Sequence, residues 1–163
     1  MNGLLYRIAF SLTRGMHPKV ADELLSRVGS ERDFFNMPED TLIRITGRRL
    51  QILSSAYRDE LLEKARKEEQ FCLQNNVRCL YYTDPSYPQR LLECDDAPTM
   101  LYALGDTDLN SQHVISIVGT RNATAYGVNF ITNLVENLGK RLDNVVVVSG
   151  LAMGCDITAH KRA

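Results

Sequence analysis

The 163-residue sequence predicts an α/β chain: a helical domain over residues 1–75, then an incomplete parallel-sheet domain over residues 76–163. Three observations predict it. Apolar residues in the first 75 positions recur at helical spacing, each run closed by a glycine or a turn. Near Asn75-Asn76 the period changes and β-branched and aromatic residues take over. Two short apolar runs, 113–118 and 145–148, each lead into a small-residue turn and a helical pattern, which is the strand–helix–strand–helix order of a βαβ unit with a parallel pair.

Each element has its own local signal. Leu4, Leu5, Ile8 and Leu12 share a helical face. Pro18 suits a first helical turn, Val20, Leu24, Leu25 and Val28 follow at helical spacing, and Gly29 is the stop. Ser30 with Asp33 three residues on resembles a capping box ahead of Phe34 and Phe35. Pro38 opens a short helix carrying Leu42, Ile43 and Ile45, stopped by Gly47. A long helix is expected from about Arg48 to Gln74, with Glu60–Lys64 and Glu63–Lys67 as i,i+4 pairs on a solvated, charged face. Residues 77–82 read as a strand, residues 83–88 as a proline-broken loop, 89–93 as one helical turn, and 99–104 as a second strand closed by Gly105-Asp106. Residues 113–118 and 145–148 suit strands buried on both faces. The helix between them starts at a Thr124 cap and is expected to turn Phe130, Ile131, Leu134, Val135, Leu138 and Leu142 toward the sheet. A parallel sheet needs cover on both faces, which two strands and their helices do not supply, so the sequence predicts the front part of a longer protein.

Composition narrows the function classes. The apolar share of 44% and charged share of 24% are globular and exclude a disordered or collagen-like chain. No apolar run is long enough for a membrane helix, and the first residues carry Arg7 inside their apolar stretch without a cleavage site, so a cytoplasmic protein without a signal peptide or membrane partner is expected. The net charge of −1 argues against a strongly basic nucleic-acid coat. The charge is uneven, however. Residues 111–163 hold five basic groups against three acidic ones, leaving fourteen basic and seventeen acidic groups in residues 1–110, so an anion site belongs in the last third. Cys72, Cys79, Cys94 and Cys155 fit no zinc or CxxC spacing and read as free thiols packed as small hydrophobes. Neither metal nor organic cofactor is expected.

The chemistry belongs at the carboxyl ends of the two buried strands, where the crevice of an open α/β sheet lies. Each strand there delivers a glycine-bearing turn to a helix start, and free N–H groups with the helix dipole favour an anion, usually phosphate. Gly119 and Gly150 admit close backbone approach, Thr120 and Ser149 offer hydroxyls, and Arg121 offers a planar fork for two phosphate oxygens. Lys161 is a secondary candidate. The pattern is neither GxGxxG nor a Walker loop. Asp156 and His160 share a helical face at i,i+4; with no third ligand or nucleophile in view, a structural role is the better account. Tyr81, Tyr82, Tyr87 and Tyr102 are candidates for base stacking, but core filling explains them more simply.

The run Ser116-Ile117-Val118-Gly119-Thr120-Arg121, with Thr124, Tyr126 and Gly127, and then Val147-Val148-Ser149-Gly150-Leu151-Ala152-Met153-Gly154 with Asp156, Ala159 and His160, resembles the DNA-processing protein DprA (Smf) family. Upstream, Tyr87-Pro88-Gln89-Arg90-Leu91, Ala97-Pro98 and Leu101-Tyr102 through Gly105-Asp106 resemble its lead-in. The likeness is strong over 77–163 and loose over the helices. It implies a SAM or helix-hairpin-helix-like helical domain followed by a Rossmann-like DNA-binding domain. It also implies a protein that is not an enzyme: it binds and protects incoming single-stranded DNA and helps load RecA recombinase in natural transformation. Arg121 would contact DNA, as would the Ser149-Gly150 turn. Thr120 stands where the family has Ser, and Cys155 where it has Ile. Gly15-Met16-His17 and Gly47-Arg48-Arg49 each keep only the first glycine of a hairpin that grips DNA backbone. Later family motifs that contribute to the DNA pocket and to a homodimer would lie after residue 163. Two rival readings are a Rossmann-type nucleotide-binding hydrolase resembling the nucleoside-monophosphate phosphoribohydrolases, whose Pro-Gly-Gly-x-Gly-Thr turn and catalytic Glu are not seen, and an adaptor that docks a partner through the helical domain.

Overall fold

The structure, a computed structural model, describes residues 3–163. It divides into two compact units, Met1–Asp106 and Thr107–Ala163.

In the first unit, α1 (Gly3–Ser11) buries Ile8, Ala9 and Phe10. α2 (Pro18–Val28) begins on its proline and ends at Gly29. α3 (Glu31–Asn36) is capped by Ser30, whose hydroxyl accepts from the Asp33 N–H at 3.1 Å. α4 (Glu39–Thr46) ends at Gly47, whose φ of +69° is the left-handed conformation that glycine reaches without a side-chain clash. The expected long helix is broken at its start: Gln51–Leu53 forms a 3-10 turn, and α5 (Ser55–Gln74) starts only after a Ser54 cap. The Glu60–Lys64 pair forms at 2.6 Å, whereas Glu63 pairs with Arg66 rather than with Lys67.

α5 is not solvated all round. Arg58, 3% exposed, turns inward and caps the carboxyl end of α3. Its guanidinium donates to the carbonyls of Phe34 at 2.5 Å, Phe35 at 3.1 Å and Met37 at 2.8 Å, and its Nε to Leu53 O at 3.1 Å. Those are carbonyls a helix end leaves without partners. Phe34, over whose ring the Arg58 guanidinium sits, packs edge-to-face on Phe10 at 5.4 Å.

β1 (Arg78–Tyr81) and β2 (Met100–Ala103) pair antiparallel, with Cys79 opposite Tyr102 and Leu80 opposite Leu101. The intervening 3-10 turn is Gln89–Glu93. This segment is tied to the helices before it, and that explains why the compact unit runs to Asp106 although the sequence period changes at residue 75. Asp84 accepts from Tyr81 N–H at 2.9 Å and pairs with Arg7 of α1 at 3.1 Å. The Tyr82 hydroxyl donates to Asp22 of α2 at 2.6 Å, and Tyr87 is fully buried with its hydroxyl on Pro98 O. Tyr81, Tyr82 and Tyr87 are therefore core residues.

In the second unit, β3 (His113–Ser116) and β4 (Val145–Val148) run parallel, with Val114 opposite Val146 and Ile115 opposite Val147. α6 (Ala125–Arg141) connects them and α7 (Cys155–His160) follows. Thr124 caps α6 by accepting from Gly127 N–H at 3.2 Å. The core is Ile117, Ile131, Val135, Cys155 and Ala159, with Ile115, Ala123 and Val147 packed on it, so both helices cover one face of the strand pair. Alternation sends Val118 and Val148 the other way. Val118 is 82% exposed, so the strands are not buried on both faces in this structure. Phe130 and Leu134, expected to face the sheet, lie one position off the buried Ile131–Val135 stripe and are 56% and 37% exposed.

Among the described residues no helix is long and apolar enough to cross a membrane, and all four cysteines are free thiols.

Candidate nucleic-acid interface

β3 and β4 end side by side, and each releases a turn, 117–122 and 149–154, at the same end of the sheet. The turns are built against one another. Ile117 N–H donates to Val148 O at 2.9 Å, the Ser149 hydroxyl donates to Ile117 O at 2.7 Å, and Cys155 N–H donates to Thr120 O at 3.1 Å. Two glycines allow this approach. A Cβ on Gly119 would stand 2.5 Å from Cys155 Sγ, and one on Gly154 would overlap the Thr120 and Arg121 carbonyls. Gly154 also has φ +86°, and Leu151 beside it is held at φ +60°, an unusual conformation for a residue of its bulk.

The sequence-predicted residues divide by what their donors do. Ser149 and Gly150 are at the site, but their polar hydrogens are engaged within it. The Ser149 hydroxyl holds the first turn, and Gly150 N–H donates to Asp156 Oδ2 at 3.2 Å. Thr120 Oγ1 accepts from Asn122 N–H at 3.2 Å. By contrast, among the described residues the backbone N–H groups of Gly119, Thr120 and Arg121, and of Leu151, Ala152 and Met153, donate to nothing. Arg121 is exposed and engaged by no ion pair or side-chain hydrogen bond among the described residues. A guanidinium beside a row of unused N–H donors, at paired strand ends, is an arrangement that takes phosphate oxygens.

Lys161 is not brought to this place. It follows the last residue of α7, whose other end meets the turns, and at 1.5 Å per residue that is about 9 Å along the axis. It borders a separate hollow with Val128, Thr132, Thr158 and Arg162.

Sequence reasoning gave Asp156 a structural role without its partner, and missed a second contributor altogether. Asp156, 5% exposed, serves more than its own helix start: its Oδ2 fixes the 149–154 turn through Gly150. The signal was an acidic residue in the first turn after a glycine-rich loop, but its partner is chosen by the loop's path. The second is the pair Tyr126 and Phe130 on the first turns of α6, stacked at 6.5 Å and 24°. Tyr126 is 80% exposed, leaving aromatic surface open close behind Arg121 in the chain.

Comparison with known proteins agrees with this architecture. The model of the family DNA recombination-mediator protein A matches residues 78–163. The DNA processing protein DprA of Bacillus subtilis is 36% identical over 88 residues, 53% of this chain and 29% of that protein. Its namesake in Streptococcus pneumoniae is 36% identical over 80 residues, 49% of this chain and 27% of that one. Protein Smf of Escherichia coli is 35% identical over 77 residues, 47% of this chain and 20% of that protein. The matched stretch thus spans less than a third of these relatives' own length. The X-ray structure of DprA from Streptococcus pneumoniae has the same fold over the whole of this chain and 54% of its own, with a TM-score of 0.65 at 23% identity. Matched by the family model over more than half of its length, the chain belongs to the DNA recombination-mediator protein A family.

Proposed function

We propose that this chain works in DNA processing by holding single-stranded DNA across the carboxyl ends of β3 and β4, as a binding protein and not as an enzyme. The observation that carries the reading is Arg121, unpaired and exposed beside the free N–H groups of residues 119–121. The guanidinium takes two oxygens of one phosphate, and the N–H row takes oxygens of the same or the next phosphate. Tyr126 offers a face on which a neighbouring base stacks, a contact indifferent to sequence. Family membership supports nucleic acid as the source of the phosphate.

In the whole protein, the bound strand would be shielded and passed to RecA recombinase during natural transformation, in the cytoplasm, with a homodimer extending the site. Those steps are what the family resemblance of the sequence implies; the relatives named DNA processing protein support the DNA-processing part of the reading. The test is fluorescence anisotropy with a labelled oligo-dT, comparing the unaltered chain with Arg121→Ala. Weaker binding by the variant, at unchanged circular dichroism, is expected; equal affinities would remove Arg121 from the site.

A further inference from the structure

Two thiols share one hollow at the corner where α5 turns into β1. α5 closes with Asn75 N–H on Phe71 O at 3.1 Å and Val77 N–H on Cys72 O at 2.9 Å, while Asn76, at φ +53°, reverses the chain. The reversal brings Cys79, the second residue of β1, to the same hollow as Cys72 in the last turn of α5. Both line one open hollow of about 390 Å³ with Leu4, Leu73 and Arg78. Cys72 is buried and Cys79 half-buried, so one thiol is reachable and the other stands behind it. Cys94 is exposed, and Cys155 belongs to the other unit.

We propose that Cys72 and Cys79 are a modification site, a dithiol that a small-molecule disulfide such as glutathione disulfide converts into an intramolecular cystine joining the end of α5 to β1. Cys79 loses its proton to solvent and attacks one glutathione sulfur. The glutathione S–S bond breaks, and the first glutathione leaves as a thiolate that takes up a proton. Cys72, likewise deprotonated, then attacks the Cys79 sulfur and expels the second glutathione. Two protein thiols are oxidised to one disulfide, and one glutathione disulfide is reduced to two thiols. Burial, with Cys72, Glu68 and Glu69 of α5 alongside, pushes the Cys79 thiol up to about 12. Tyr102 faces it from β2, and Arg78 adjoins it on β1. The first attack is therefore slow near neutral pH. The second attack sets the pair apart from Cys94, because its nucleophile lines the same hollow.

The test incubates the 163-residue chain with glutathione disulfide at mildly alkaline pH, then blocks free thiols and maps peptides by mass. A Cys72–Cys79 linked peptide, lighter by two hydrogens and restored by dithiothreitol, is expected, with glutathione retained on Cys94. In Cys72→Ser the resolving thiol is gone, and Cys79 should keep its glutathione; circular dichroism establishes that this variant is folded. The proposal fails if unaltered Cys79 retains glutathione, if both thiols are recovered free, or if either is linked instead to Cys94 or to a second chain.

Discussion

Arg58 and Arg121 carry the same guanidinium, and their surroundings give them opposite work. Arg58 is inside, its donors closing three carbonyls at the end of α3, and burial lowers its pKa from the ordinary arginine value. Replacing it with Met keeps much of the volume and strands those carbonyls, so Arg58→Met should cost about 3 kcal/mol in urea unfolding. Lys should recover only part of this, since a point charge cannot reach three acceptors as a planar fork does. Arg121 stands outside with no partner, so Arg121→Ala should move stability by no more than about 0.5 kcal/mol. In the anisotropy titration it should weaken DNA binding by roughly ten- to a hundredfold, the worth of charge-assisted hydrogen bonds. Gly154→Ala lies between these cases. Its φ of +86° and the two carbonyls facing it leave no place for a methyl group, so the 117–122 and 149–154 turns must separate. A loss of roughly 1–3 kcal/mol in stability is expected, together with weaker binding, because the N–H row depends on that contact.

The β1–β2 pair sets the chain's response to alkali. Burial pushes the Cys79 thiol up to about 12 and lifts the buried Tyr81 and Tyr82 phenols as well. In the unfolded chain these groups ionise from about pH 9 to 10. There the unfolded state releases protons that the folded state keeps, so stability is full below that range and falls as pH climbs toward 12. Urea midpoints should be level from pH 7 to 8.5 and clearly lower at pH 11, and the part of the tyrosinate absorbance that belongs to the buried Tyr81 and Tyr82 should appear only with unfolding. How far such elements were legible depended on how local their causes are. The Ser30, Thr124 and Gly47 caps and the parallel pairing of the two valine-rich strands follow from neighbours in sequence, and they stand as read. Arg58 was hidden among the charges of α5, because its acceptors lie more than twenty residues upstream. Phe130 and Leu134 were misplaced because an apolar helix stripe read without its partner sheet can be turned by one position. At the candidate site, residue types pointed to the right turns. They did not show that Ser149 and Gly150 donate inward while residues 119–121 keep free N–H groups, since that depends on how the two loops interlock.

At the scale of the whole molecule, a net charge of −1 rules out a broad electrostatic embrace of DNA. Attraction must come from a few placed groups, and residues 111–163, with five basic against three acidic, hold them. A small number of phosphate contacts has a measurable signature. Each phosphate neutralised on a single strand releases condensed counterions and steepens the fall of log affinity with log salt by about 0.7. The slope for oligo-dT should therefore be shallow, and Arg121→Ala should flatten it by about 0.7 while also lowering affinity. Lys161→Ala should leave the slope unchanged, because Lys161 lies beyond the far end of α7 from the turns. The Tyr126→Ala variant separates the remaining contribution: stacking carries no counterions, so it should lower affinity at every salt concentration with the slope intact. A titration series at four or five salt concentrations reads all three variants. Should Lys161→Ala flatten the slope as much as Arg121→Ala, the strand would run along α7 and not over the ends of β3 and β4.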